Sequence, residues 1–244
     1  MKRACLLLTV VVLLATVPMA WGHYTWLVRT HYSSGGDKAF LEIGNGHHFP
    51  ESEAAPNVSH VKVFLVNAKG EQKSLPFQVS GKALAIEAPL AGKELARVYY
   101  VRDRGVMSQT AEGWKEGGRD QHPTAKQSTK MLQYGIAWVG FQGSAIGAKP
   151  LGLELELNYE TGMRGRMVRV MRQGKPAKDI AVVAVLGEDN EIELGKSDAQ
   201  GYVSAAKAPE GKAVLYSARF EMPATKGANF DKSSITCTLS VPGN

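Results

Sequence analysis

The sequence predicts an all-β protein made of two β-sandwiches that follow a cleaved signal peptide. Apolar and polar residues alternate at period two wherever a pattern is visible, as they do in a strand with one buried face. The runs are short and divided by turn signals such as "NAKGE", "SGK", "GEDN" and "SDAQG", the rhythm of sandwiches. The chain also opens on two basic residues and one unbroken apolar run from Ala4 to Val17, closed by Pro18.

That opening has the layout of an export signal. The run is shorter than the ~20 residues a bilayer core demands, and no later segment is apolar enough to span a membrane. Signal peptidase selects small side chains one and three residues before the cut. Cutting after Ala20 would put Pro18 at the third position, whereas cutting after Gly22 puts Ala20 and Gly22 in the two places. The expected signal peptide is therefore 1–22, and the expected exported chain begins at His23.

Export removes Lys2, Arg3 and Cys5. Taking two from the 29 basic residues leaves 27 against 23 acidic ones, a formal charge of +4. A small, scattered positive excess does not form a nucleic-acid footprint, and no nucleic-acid partner is expected. Cys237 is left alone in the strand-like "SSITCTLSV", which excludes an intrachain disulfide and suits a packed core thiol.

The strands follow in order. "HVKVFLVNAKGEQKSLPFQVSGKALAIEAP" reads as three strands joined by two turns, and "ELARVYYVRDRG" as a fourth. Residues 107–140 break the pattern: the first half is polar and Gly-rich, and a short helix is expected around Ala125 to Gln133. "LGLELELNYET" alternates Leu with Glu or Asn, as a half-buried strand does. Short strands divided by "QGKP", "GEDN" and "SDAQG" come next, and "KAVLYSARF" and "ITCTLSV" close the series. Gly162 and Gly165 interrupt the pattern near "NYETGMRG". They set the expected division into an N-terminal sandwich at 23–160 and a smaller one at 161–244.

All six histidines, His23, His31, His47, His48, His60 and His122, lie in the first half. Cleavage before His23 would place an α-amine beside its imidazole. Such groups titrate near ~8 and ~6.5, so both serve as ligands around neutral pH. Nitrogen donors suit nickel, copper, cobalt and zinc, but the pair needs a further donor to hold an ion. The loop "EIGNGHHFPESE" supplies candidates in His47 and His48, with Glu51 and Glu53 close enough to support them. His122 in "GRDQHPTAKQ" is another, held in an extended or turned backbone by Pro123. His31 and His60 sit beside strand-like segments and suit packing or surface roles.

Other patterns carry less. Met163, Met167 and Met171 recur every four residues, but in a turn and strand that spacing does not share a face, so packing is expected. Tyr24, Trp26, Trp114 and Trp138 are dispersed and expected in the core. "NVS" at 57–59 is a glycosylation sequon only in a eukaryotic source. The sequence holds no phosphate loop, no "GxSxG", no "HExxH" and no defensible carboxylate pair, and the expected function is binding rather than catalysis.

A histidine directly after the cut, the aromatic-rich "HYTWLV", the "GHHFP" loop and the "HPTAKQSTK" segment form one set of features. With "VMRQGKPAKDIAVVAV", "SDAQGYVSAA" and "GKAVLYSAR", they resemble bacterial periplasmic β-sandwich proteins described as nickel uptake transporter components. Those are accessory binding proteins of energy-coupling-factor-type nickel/cobalt uptake systems. The second half resembles the transthyretin-like, carboxypeptidase-regulatory-like sandwich of that family. The resemblance implies periplasmic capture of a divalent transition metal, nickel favoured and copper or cobalt possible, and its delivery to membrane permease components. It implies ligation by His23 with His47 or His48 and His122. Related sequences often carry an "HPF"-type motif where this chain has "HHFP", which leaves open which of the pair ligates. Two other readings stand beside it: a metal-free structural or adhesive protein, and a copper histidine brace. The Irving–Williams order has copper outcompete nickel in vitro, so supply and partner decide the metal.

Overall fold

A computed structural model describes residues 23–90, 95–140, 148–187 and 190–243. The expected signal peptide lies outside the described residues. The first strands are β1 (Tyr24–Tyr32), β2 (Lys38–Gly46), β3 (Val61–Val66), β4 (Gln72–Leu75), β5 (Phe77–Ser80) and β6 (Ala83–Pro89). They are followed by β7 (Ala96–Thr110), β8 (Gly113–Glu116), β9 (Gln127–Val139), β10 (Glu156–Gly162), β11 (Gly165–Arg172) and β12 (Lys175–Pro176). The last are β13 (Ala181–Val185), β14 (Glu191–Lys196), β15 (Tyr202–Ser204), β16 (Val214–Pro223) and β17 (Lys232–Val241). The one helical element among the described residues is a 3-10 turn at Val58–His60, so none is long and apolar enough to cross a membrane. The protein is an all-β sandwich.

Its centre is a nine-stranded sheet in the order β14-β13-β16-β17-β9-β7-β3-β4, with β8 added on β7. Strands β9 and β17 pair in parallel from Thr129 opposite Lys232 to Ala137 opposite Ser240. This joins the two expected units at 23–160 and 161–244 in one sheet. A parallel pair cannot be closed by a hairpin, and these two segments lie about a hundred residues apart.

Both faces of this sheet are covered, so its strands bury alternate residues in opposite directions. On one face Val63, Val98, Tyr100 and Ala137 meet Leu27, Leu41, Ile43, Leu84 and Ile86 of the small sheet β1-β2-β6-β5. On the other, Ile136, Val182, Ala184, Tyr216 and Leu239 meet Leu157, Val168, Val170 and Val203 of β10, β11 and β15. Cys237 is fully buried in that second core, and burial pushes its thiol well above the usual range.

Several expectations change. The segment expected as a helix around Ala125 to Gln133 is strand from Gln127 onward. It pairs with β7 on one side and β17 on the other, and two ladders outweigh a local helical preference. "LGLELEL" is not a half-buried strand from its start: β10 begins at Glu156, and Leu155, Glu156 and Leu157 are all fully buried. Trp26 and Tyr24 are core residues, but Trp114 is 46% exposed, and Met163 stands free while Met171 is packed.

Glu156 is buried because it has partners. Arg97 Nη1 donates to its Oε1 at 3.1 Å, Asn158 Nδ2 to the same oxygen at 3.1 Å, and the Leu151 N–H to Oε2 at 2.8 Å. Arg97 itself lies over the Trp138 ring at 5.1 Å. A charge left in a core without its partner costs far more than the pair contributes. Arg97→Met is therefore expected to destabilise by about 3–5 kcal/mol in denaturant unfolding. A loss below ~1 kcal/mol, the range of an exposed pair, would contradict a buried ion pair here.

Candidate metal centre

Strands β1 and β2 are antiparallel with Tyr24 opposite Gly46, Thr25 opposite Asn45 and Trp26 opposite Gly44. One step beyond the end of this ladder, His23 and His47 face each other. Their rings lie 4.1 Å apart between centroids, tilted by 50°. Strand register thus brings together two histidines that are distant in sequence.

The chain after His47 is held down by Phe49, which is 3% exposed and meets the Trp26 ring edge-on at 5.6 Å. Both belong to a third core cluster with Tyr24, Val183, Val185 and Leu215, so this loop is tied to the C-terminal half of the central sheet. The loop then turns back. Glu53 donates its N–H to the Asn45 carbonyl at 3.0 Å, and Asn45 donates its own N–H to Ser52 Oγ at 2.9 Å. Gly46 makes room for this return: with φ +150, a Cβ there would lie 2.7 Å from the Glu53 carboxyl carbon.

The Glu53 carboxylate ends up among three imidazoles. Its Oε1 accepts the His47 backbone N–H at 2.8 Å and lies 3.5 Å from His47 Nδ1 and 3.3 Å from His48 Nδ1. Its Oε2 lies 3.9 Å from His23 Nδ1. Donors around one tetrahedral ion with bonds near 2.1 Å stand roughly 3.4 Å apart. Ligand atoms of His23, His47 and Glu53 already lie within 4.8 Å of one another, so small side-chain rotations would close them on an ion. The imidazoles are partly open to solvent, which gives an ion a way in.

Glu53 is held below the usual carboxylate range chiefly by the His47 backbone N–H; burial opposes this, and the His47 and His48 side chains add to the lowering. The ionised form, which a cation needs, is the one this loop favours.

The other candidates lie elsewhere. His122 Nε2 meets the Glu116 carbonyl at 2.9 Å and is not part of the His23–His47–Glu53 group. His60 bridges the Asp103 carbonyl and the Glu116 carboxylate at 3.0 and 3.3 Å. His31 stacks on Phe40 with centroids 4.4 Å apart. Glu51 lines a surface cleft with His48 and Leu186. Glu53 enters the group directly rather than supporting it from behind, and only the return of the loop to Asn45 separates it from Glu51. Tyr24, next to His23, donates its hydroxyl to Glu191 at 2.6 Å.

An all-β protein with an open imidazole–carboxylate group at one strand end is the class that fold and geometry define. The chain belongs to the DUF4198 family, described as a domain of unknown function, whose model matches residues 20–215. That span contains the whole candidate centre. No curated protein matches the chain.

The carboxylate of Glu53 should titrate below the ~4.3 of a free glutamate in carbon-detected NMR of the metal-free protein. Its folded value is depressed, so its contribution to stability is present above the unfolded pKa and lost as pH falls through the folded one. His47→Ala should leave most of the depression, because the backbone N–H survives the substitution. A return to the ordinary value in that variant would contradict the geometry.

Proposed function

We propose that the exported protein is a periplasmic binder of a divalent transition metal, nickel favoured, which it passes to a membrane uptake system. The observation that carries this reading is the convergence of His23, His47 and Glu53 at one strand end, with His48 beside them. Removal of residues 1–22 would add the His23 amine, giving three nitrogen donors and one oxygen, with His48 able to supply a fourth nitrogen. Mixed nitrogen and oxygen donors suit Ni(II) and Cu(II). The resemblance to nickel uptake components supports nickel over copper, with cobalt as a further cargo. In this reading the metal is cargo, bound and released unchanged, and His122 stands outside the site.

Titration calorimetry with Ni(II) and Cu(II) on the chain beginning at His23 tests the reading. His23→Ala, His47→Ala and Glu53→Gln should each weaken binding by at least ~10- to 100-fold, the loss that even outer partners of a metal cost. His122→Ala should stay within about twofold, the scatter of an independent site. Equal binding by wild type and His23→Ala would remove the metal reading, and a large loss in His122→Ala would return that residue to the site.

A further inference from the structure

His23 also lines a groove of about 420 Å³ beside the centre. Its floor is the stretch of the central sheet where the small sheet no longer covers it. Thr129, Met131 and Gln133 of β9 lie directly opposite Lys232, Ser234 and Thr236 of β17. Arg219 and Glu221 of β16 continue the same rows, opposite Thr236 and Ser234. Farther along this face the residues are covered: Tyr100 and Thr238 both donate to the Thr25 carbonyl of β1. Arg104 and the exposed ring of Trp114 form part of the wall.

A bare ion uses none of this space, whereas the volume falls within the ~300–1,000 Å³ typical of small-molecule sites. Arg104, Arg219 and Lys232 face it with Glu221 as the one carboxylate among its lining residues, and Glu221 is already paired to Lys232 at 2.8 Å. The lining thus holds three cationic side chains and one carboxylate, and the floor offers hydroxyls and amides beside Met131. Guanidinium groups favour carboxylates, which they hold through charge-assisted hydrogen bonds. His23 belongs to both the groove and the metal group, so an occupant of the groove lies within reach of the ion.

We propose that the cargo is a metal chelate: the ion sits at His23, His47 and Glu53 while a small organic polycarboxylate, still bound to it, lies in the groove. The chelator's oxygens fill coordination positions that the protein leaves open, and its remaining carboxylates face Arg104 and Arg219. This inference rests on the metal reading above.

The test loads the chain beginning at His23 with preformed 1:1 nickel citrate, desalts it, and counts nickel and citrate in the protein fraction. The expected result is one citrate per nickel in wild type. Arg104→Gln should lower retained citrate about tenfold, the loss of one charge-assisted contact. Glu221→Gln, which removes the opposing charge, should retain as much citrate or more. The opposite response of these two variants separates a charge effect from a folding defect. Nickel retained without citrate overturns the chelate and leaves metal capture standing. Equal citrate on metal-free protein, or equal retention in both variants, also overturns it. Nickel retained from neither nickel citrate nor nickel sulfate overturns the metal reading and the chelate with it.

Discussion

The docking of β1, the edge strand of the small sheet, onto the central sheet is the constraint on which both the fold and the site depend. On one side its register places Trp26 over Gly44, where any Cβ would strike the indole at 2.5 Å. Its Thr25 carbonyl accepts from Tyr100 Oη at 2.8 Å and from Thr238 Oγ1 at 2.9 Å, and its Leu27 carbonyl accepts from Ser240. Arg102 reaches Thr25 Oγ1 at 3.0 Å. These bonds satisfy edge carbonyls that would otherwise be buried without partners. They also lock the register, since a slip of one residue would turn Trp26 from the core to the other face. With the register locked, His23 has one place to stand, beside His47.

The geometry of the candidate centre suits a cation. Three imidazoles share one carboxylate, and that carboxylate is fixed by a backbone N–H rather than by a competing Lys or Arg. A basic side chain in this position would have satisfied Glu53 permanently. An imidazole nitrogen, unlike a Lys or Arg side chain, can offer a lone pair, so the groups that face Glu53 can themselves serve as ligands. Phe49 and Gly46 supply the rigidity: one anchors the loop in the core, the other lets the carboxylate fold over the strand end.

Most strands were legible because period-two alternation is local. Strands β3, β6 and β11 through β17 follow the turn signals, but the one strand expected between "NAKGE" and "SGK" is two, β4 and β5, which part at Pro76 to join different sheets. Features that depend on distant partners were not legible. Nothing near "KQSTKMLQ" announces that two ladders will flank it, and nothing near Glu156 announces Arg97, 59 residues away. The parallel pairing of β9 with β17, which unites the two halves, has no sequence signature. At the centre, residue types and cleavage logic pointed to His23, His47 and His48, but the pairing of β1 with β2 decides their proximity. The choice of Glu53 over Glu51 depends on one loop return. His122 looked equivalent in sequence and is occupied with the Glu116 carbonyl. Trp114 shows the converse, an aromatic residue exposed on a hairpin where dispersed aromatics usually pack.

In the proposed reading, cleavage creates the site by releasing the amine of His23 beside His47 and Glu53. It is tested most directly by comparing Ni(II) and Cu(II) affinity between a chain that begins at His23 and one with a single glycine before it. The imidazoles and the carboxylate are the same in both, and only the amine is displaced. Affinity should fall by about tenfold or more in the extended chain, as expected for the loss of one ligand. Equal affinity in the two chains would contradict the account.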